Sequence, residues 1–153
     1  MARCGVQTLC SGALTQLREL SLRSAGDIGD GAALSAPGAL PSLTSLDLSW
    51  CHSVRGDAIA ACAGRLQRLT LHGCELVDST VCRDLRALVE LDVAFTRVCD
   101  VGLMALAAYS SNLRRLVLAS RSDNLWTTGN WSEGGLGEFR RLRPEVEVVF
   151  ASC

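Results

Sequence analysis

Five copies of one aliphatic frame limit what this chain can fold into. Leu-x-x-Leu-x-Leu stands at Leu17/Leu20/Leu22, Leu43/Leu46/Leu48, Leu66/Leu69/Leu71 and Leu113/Leu116/Leu118, and again as Leu88/Leu91/Val93. Successive first leucines lie 26, 23, 22 and 25 residues apart. A period of that length marks a supersecondary unit that cannot bury its apolar face alone and therefore stacks on its neighbours. Of the 25 leucines, 14 occupy framed positions, so the pattern is not a by-product of leucine abundance.

In a short strand alternate residues point to opposite faces. The second and third aliphatic positions of each frame therefore face inward together, and stacked copies line them into a continuous ladder about 4.8 Å per rung. The second half of each unit reads as a helix. In "VGLMALAAYSSNLRRL", Val101, Leu103, Leu106 and Ala107 fall on one side at helical spacing. An acidic residue recurs where each helix should begin, at Asp30, Asp57, Asp78 and Asp100, and is expected to cap it. Pro37 and Gly38 should end the first helix early.

The segments "LTSLDLSWCHSVRGDAIAACAGRL" and "LVELDVAFTRVCDVGLMALAAYSSNLRRL" resemble the cysteine-containing subclass of leucine-rich repeats. The resemblance runs from about residue 17 to residue 150. It implies an α/β solenoid, the ribonuclease-inhibitor-like horseshoe, with parallel strands on the concave face and helices on the convex face. Residues 1–153 then form one domain. Residues 1–16 make an N-terminal cap or a partial repeat, 17–120 the regular repeats, and 121–153 an atypical capping repeat. The subclass is familiar from the C-terminal halves of F-box receptors of ubiquitin ligases, whose members bind proteins through the strand surface. What the resemblance implies is a non-catalytic protein-interaction scaffold, with substrate recognition for a ubiquitin ligase as its specific form. A structural subunit docked permanently through its helices, near Ile59 or Met104, is the alternative. The F-box itself has no counterpart in this sequence.

Composition narrows the partners. All 15 basic residues are arginine, and with 16 acidic residues the net charge is −1. That balance argues against a general surface for nucleic acid or anionic lipid. The absence of lysine is what a GC-rich coding bias produces, and it would also spare a ligase receptor from modifying itself. No apolar run approaches the ~18 residues of a spanning helix, so a soluble chain is expected, with no membrane partner. "MARCGVQTLC" lacks the sustained apolar stretch of a secretory signal.

The eight cysteines, Cys4, Cys10, Cys51, Cys62, Cys74, Cys82, Cys99 and Cys153, include no C-x-x-C pair. Reduced thiols in the cytoplasm, or in the nucleus, fit them better than a secreted disulfide framework. Cys51 and Cys74 each follow the third framed leucine by three positions, where the other copies have Ala25, Thr96 and Arg121. Such a ladder position needs a small side chain that fits a turn, so buried structural thiols are expected. Zinc is the sharper alternative, because His52 and His72 adjoin these cysteines, but alternation turns His72 outward and Cys74 inward. A Cys51–Cys74 disulfide is geometrically conceivable across adjacent rungs, and the reducing compartment argues against it. Asp47/His72 and Asp92/His72 could pair on the strand face, yet no nucleophile shares their register. No phosphate-binding loop or H-E-x-x-H occurs. No enzyme, cofactor or metal is expected, and small-molecule ligands suit so polar and shallow a face poorly.

The outward strand positions are the expected protein-binding surface. They are Glu19, Ser21 and Arg23; Ser45, Asp47 and Ser49; Arg68, Thr70 and His72; Glu90, Asp92 and Ala94; Arg115, Val117 and Ala119. The site is expected at Glu19, Arg23, Asp47, Arg68, Thr70, His72, Glu90, Asp92 and Arg115, with Arg68 offset by Glu90 on the next rung. Past Ser120 the insertion "RSDNLWTTGNW" carries Trp126 and Trp131, which either anchor a partner or cover the last rung. A short helix with Leu136, Phe139 and Leu142 on one side, then a strand at 146–150, should close the chain.

Overall fold

The computed structural model describes residues 14–25, 28, 34, 40–120 and 130–152. Six parallel strands hydrogen-bond in chain order: β1 (Glu19–Ser21), β2 (Ser45–Asp47), β3 (Arg68–Thr70), β4 (Glu90–Asp92), β5 (Arg115–Ala119) and β6 (Glu147–Ala151). The register follows the frame. Leu20, Leu46, Leu69, Leu91, Leu116 and Val148 are partners across successive rungs.

The inner rows are dry. Leu46, Leu69, Leu91 and Leu116 are each at most 1% exposed, and Leu48, Leu71 and Leu118 lie beside them in one cluster. Burying one leucine contributes about 1.5–3 kcal/mol. Strands of three residues have no stability of their own, so the shared core holds the units together. The first framed leucines, Leu43, Leu66, Leu88 and Leu113, are fully buried too. Around β1, Leu17, Leu20 and Leu22 are only partly buried.

Behind the sheet run α1 (Gly56–Ala63), a 3-10 helix (Ser79–Arg83), α2 (Asp100–Tyr109) and α3 (Glu133–Leu142). The third unit is not the expected α-helix. Its "STVCR" lacks the alanines of "GDAIAACA", and Ser, Thr, Val and Cys all have weak helix propensity. Among the described acidic residues expected as caps, only Asp78 serves as one, accepting from the Thr80 N–H at 2.9 Å. That bond and the Thr80 hydroxyl hold its carboxyl below the usual range. Asp57 lies inside the first turn of α1. Asp100 opens α2 and reaches the next unit instead, accepting from the Ser132 N–H (2.7 Å) and hydroxyl (2.6 Å). Asp30, Pro37 and Gly38 lie outside the described residues.

Two helical faces are rotated from expectation. In α2 the buried stripe is Gly102, Leu103, Ala105 and Leu106, while Val101, two residues before Leu103, points to solvent. In α3 Leu136 and Phe139 are buried but Leu142 is exposed. Six residues past Leu136 is a 120° turn off the stripe, and Arg143 at the seventh comes back to it. Ile59 is fully buried and Met104 partly so, so neither offers the exposed apolar area expected for docking through the helices. No helix among the described residues is long and apolar enough to cross a membrane.

Candidate functional site

The first three rungs leave the sheet through a tight turn, in which the N–H three residues on donates to the carbonyl of the third framed residue. Cys51 N donates to Leu48 O and Cys74 N to Leu71 O, both at 3.0 Å, and Ala25 N to Leu22 O at 3.1 Å. The turn takes a left-handed residue at its third position. Those residues are Ser24 (φ 57°), Trp50 (φ 63°), Gly73 (φ 72°) and Phe95 (φ 56°). Only Gly73 suits that conformation; for an L side chain it costs roughly 1–2 kcal/mol.

The inward cysteines complete the turns. The Cys51 thiol donates to Leu22 O at 3.1 Å and the Cys74 thiol to Leu48 O at 3.0 Å, so each bonds a carbonyl of the preceding unit. Burial raises both thiol pKa values, that of Cys74 to about 12. Neither is in a disulfide, and nor are Cys62, Cys82 and Cys99. Cys74 thus points away from His72, and the two do not converge.

Outside, the register aligns side chains from different units. One row runs Glu19, Ser45, Arg68, Glu90, Arg115 and Glu147. Arg68 does not pair with its neighbour Glu90. It reaches over the small Ser45 to Glu19 at 2.5 Å, and Arg115 turns to Glu147 at 3.6 Å. Among the described residues Glu90 makes no ion pair. The next row runs Ser21, Asp47, Thr70, Asp92 and Val117, and the last three of these line a depression of about 260 Å³ together with Leu69 and Leu91. Glu19, Arg68, Thr70, Glu90, Asp92 and Arg115 of the expected site line it together. Arg23 is exposed at the first rung.

The third expected row is largely not a surface. Ser49, Ala94 and Ala119 are buried, and only Arg23 and His72 keep exposed area. At Ser49 and Ala94 the chain is already turning. Asp47 Oδ1 accepts from the Ser49 N–H, and Asp92 Oδ1 from the Ala94 N–H, both at 2.9 Å. The surface passes instead to the left-handed residue that follows. Trp50 is 39% exposed and Phe95 partly so, and both were absent from the expected site. The signal was present in the sequence: two positions beyond each frame stands a glycine in one copy and an aromatic residue in two others.

His72 lies between those rings. Its centroid is 5.1 Å from Trp50 and 5.0 Å from Phe95, both edge-on, and Trp50 also nears His52 at 6.2 Å. Asp92 Oδ2 is 3.4 Å from His72 Nδ1, each side chain 21% exposed. Burial raises the Asp92 carboxyl pKa above its ordinary value. The expected Asp92/His72 pair therefore forms, whereas Asp47 bonds Ser49 and, at 3.5 Å, the Ser21 hydroxyl.

The C-terminal tryptophans separate. Trp126 lies outside the described residues. Trp131 is only 7% exposed and packs on Phe150 at 5.7 Å, within the core cluster. Of its two expected roles, its burial against the last strand suits the cap.

The model of the family described as Leucine Rich repeat matches residues 39–61 and 85–107, the units carrying β2–α1 and β4–α2. With six sequential parallel strands backed by helices, the fold is an α/β leucine-rich repeat solenoid. Among solved structures it is similar to one titled "Leiomodin-1 Actin-Binding Site 2 (ABS2)", at 8% identity and a TM-score of 0.49, covering 99% of this chain and 79% of that one. A likeness at that level carries no argument. No curated protein sequence matches the chain.

Proposed function

We propose that this chain is a non-catalytic protein-binding module that reads its partner across the exposed strand face. The observation that carries the reading is the charged row, in which Glu19, Arg68, Glu90 and Arg115 from four separate units line one depression. Interleaved charges fix register and reject mismatched partners more than they add bulk affinity. The depression, at about 260 Å³, is open and smaller than the ~300–1,000 Å³ of drug-sized ligand sites, which favours a protein surface. Leucine-rich repeats are interaction modules, and two units here match that family.

The more specific form of the proposal is substrate recognition for a ubiquitin ligase. It draws on the resemblance of the repeats to those of F-box receptors, and the lysine-free sequence suits such a role. The Cys51 and Cys74 thiols bonded to the preceding unit support the cysteine-containing subclass, and cysteines outside any disulfide among the described residues suit a reducing compartment such as cytoplasm or nucleus.

The test is affinity purification of the full chain beside Glu90→Arg. Glu90 makes no ion pair among the described residues, so the variant should keep its thermal melt, while a partner captured by the parent should bind at least about tenfold more weakly. Undiminished capture by Glu90→Arg contradicts the reading of the face. Co-purification of a cullin scaffold is the expected result for the ligase form, and its absence contradicts that form alone.

A further inference from the structure

We propose that the Trp50–His72–Phe95 cluster seats an arginine side chain presented by the protein partner. The inference rests on the strand-face reading above and names the chemistry of one contact within it.

The three rings come from three successive units and meet at the surface rather than in the core. Two of them stand on left-handed backbone, a conformation that Gly73 adopts without strain at the equivalent position of the unit between. Trp50 and Phe95 strain the turn and yet leave ring area uncovered. Such strain concentrates where a fold positions groups for binding. Gly73 completes the seat: a Cβ there would fall 2.4 Å from Trp50 Cε3, so only glycine lets the indole lie against the next turn.

The charge around the rings selects the occupant. Asp47 and Asp92 each commit Oδ1 to the backbone of their own turn. Their Oδ2 atoms meet only the Ser21 hydroxyl and His72. Among the described residues no arginine pairs with either, since Arg68 and Arg115 are turned to Glu19 and Glu147 and Arg143 to Glu145. An anionic group would be repelled here, and a purely apolar one would cover half-buried carboxylates without pairing them. A cation satisfies both features, being drawn to the ring faces and to the carboxylates. Guanidinium fits better than ammonium, because its plane stacks on an indole while its fork reaches a carboxylate.

The test uses N-acetyl-arginine methylamide as probe, with the neutral isostere N-acetyl-citrulline methylamide beside it. The readout is the NMR signals of the Trp50 indole N–H and the His72 ring. The arginine probe should shift both saturably, and the citrulline probe should bind at least about fivefold more weakly. Trp50→Gly suits the left-handed turn and keeps the fold, seen as unchanged Leu69 and Leu91 methyl signals, and it should abolish the response. Absence of saturation up to roughly 50 mM, or equal binding of the two probes, overturns the proposal. So does a folded monomer–dimer equilibrium abolished by Trp50→Gly, which would make a second copy the occupant. In partner capture, Trp50→Gly and Glu90→Arg should each weaken binding. Loss with Glu90→Arg alone sinks this proposal and leaves the strand-face reading standing; loss with neither sinks both.

Discussion

Asp92 divides its two oxygens between the fold and the face. Oδ1 holds the Ala94 N–H and so shapes the turn that carries Phe95, while Oδ2 faces His72. Burial raises its pKa in the folded state, so the fold binds this proton more tightly than the unfolded chain does. The stabilisation from that proton is fully present below the unfolded carboxylate pKa and is lost as pH rises through the folded value. Above that window the charge opposes folding, relieved in part by His72. Asp92→Asn keeps an acceptor for the turn and removes the charge. Urea unfolding should therefore show the variant gaining stability over the parent as pH rises from about 3 to 7. A constant difference across that range would show that Asp92 does not titrate as described. At this scale alternation made Asp92 and His72 legible as outward residues. It failed two residues past Asp47 and Asp92, because a strand rule cannot see where a three-residue strand has already become a turn. Ser49 and Ala94 were misplaced for that reason, and Trp50 and Phe95 missed.

Among the elements, α2 is held at its C-terminal end by a residue from beyond the next helix. The Arg143 guanidinium, nearly buried, donates to Ser110 O at 2.8 Å, Ser111 O at 3.2 Å and Leu113 O at 3.3 Å. Weaker contacts reach Leu106 O and Ala107 O, both at 3.4 Å. Leu106 O and Ala107 O belong to the last turn of α2 and the other three follow it, so a fixed cation there meets the negative end of the helix dipole. Glu145 completes the arrangement at 2.6 Å from Nε. Arg143→Ala should cost about 3 kcal/mol in thermal or urea unfolding, by stranding buried carbonyls. Arg143→Lys should recover less than half, since an ammonium cannot span the same fork. Equal stability of the Lys variant and the parent would reduce the residue to a simple charge. Helices α1 and α2 were legible from their alanine-rich, periodic segments, but the 3-10 helix was not, because an acidic start followed by spaced apolar residues looks alike in both. Arg143 was not read from the sequence, because the stripe was drawn through Leu142, one residue short of it.

The whole molecule is a ladder of units that contact mainly their neighbours, so order along the chain becomes order in space. That is why strand order, parallel direction and register all followed from one six-residue frame, whose leucines are partners rung by rung. The face follows from the same stacking: residues some twenty positions apart are placed side by side, and a site such as Trp50–His72–Phe95 exists only if three units stack in this register. Gly73 reports on that most directly. Its Hα on the indole side should lie strongly upfield and show nuclear Overhauser contacts to the Trp50 ring, with further contacts joining His72 to Phe95. A Gly73 Hα at its random-coil position, without contacts between these units, would contradict the stacking and the face built on it.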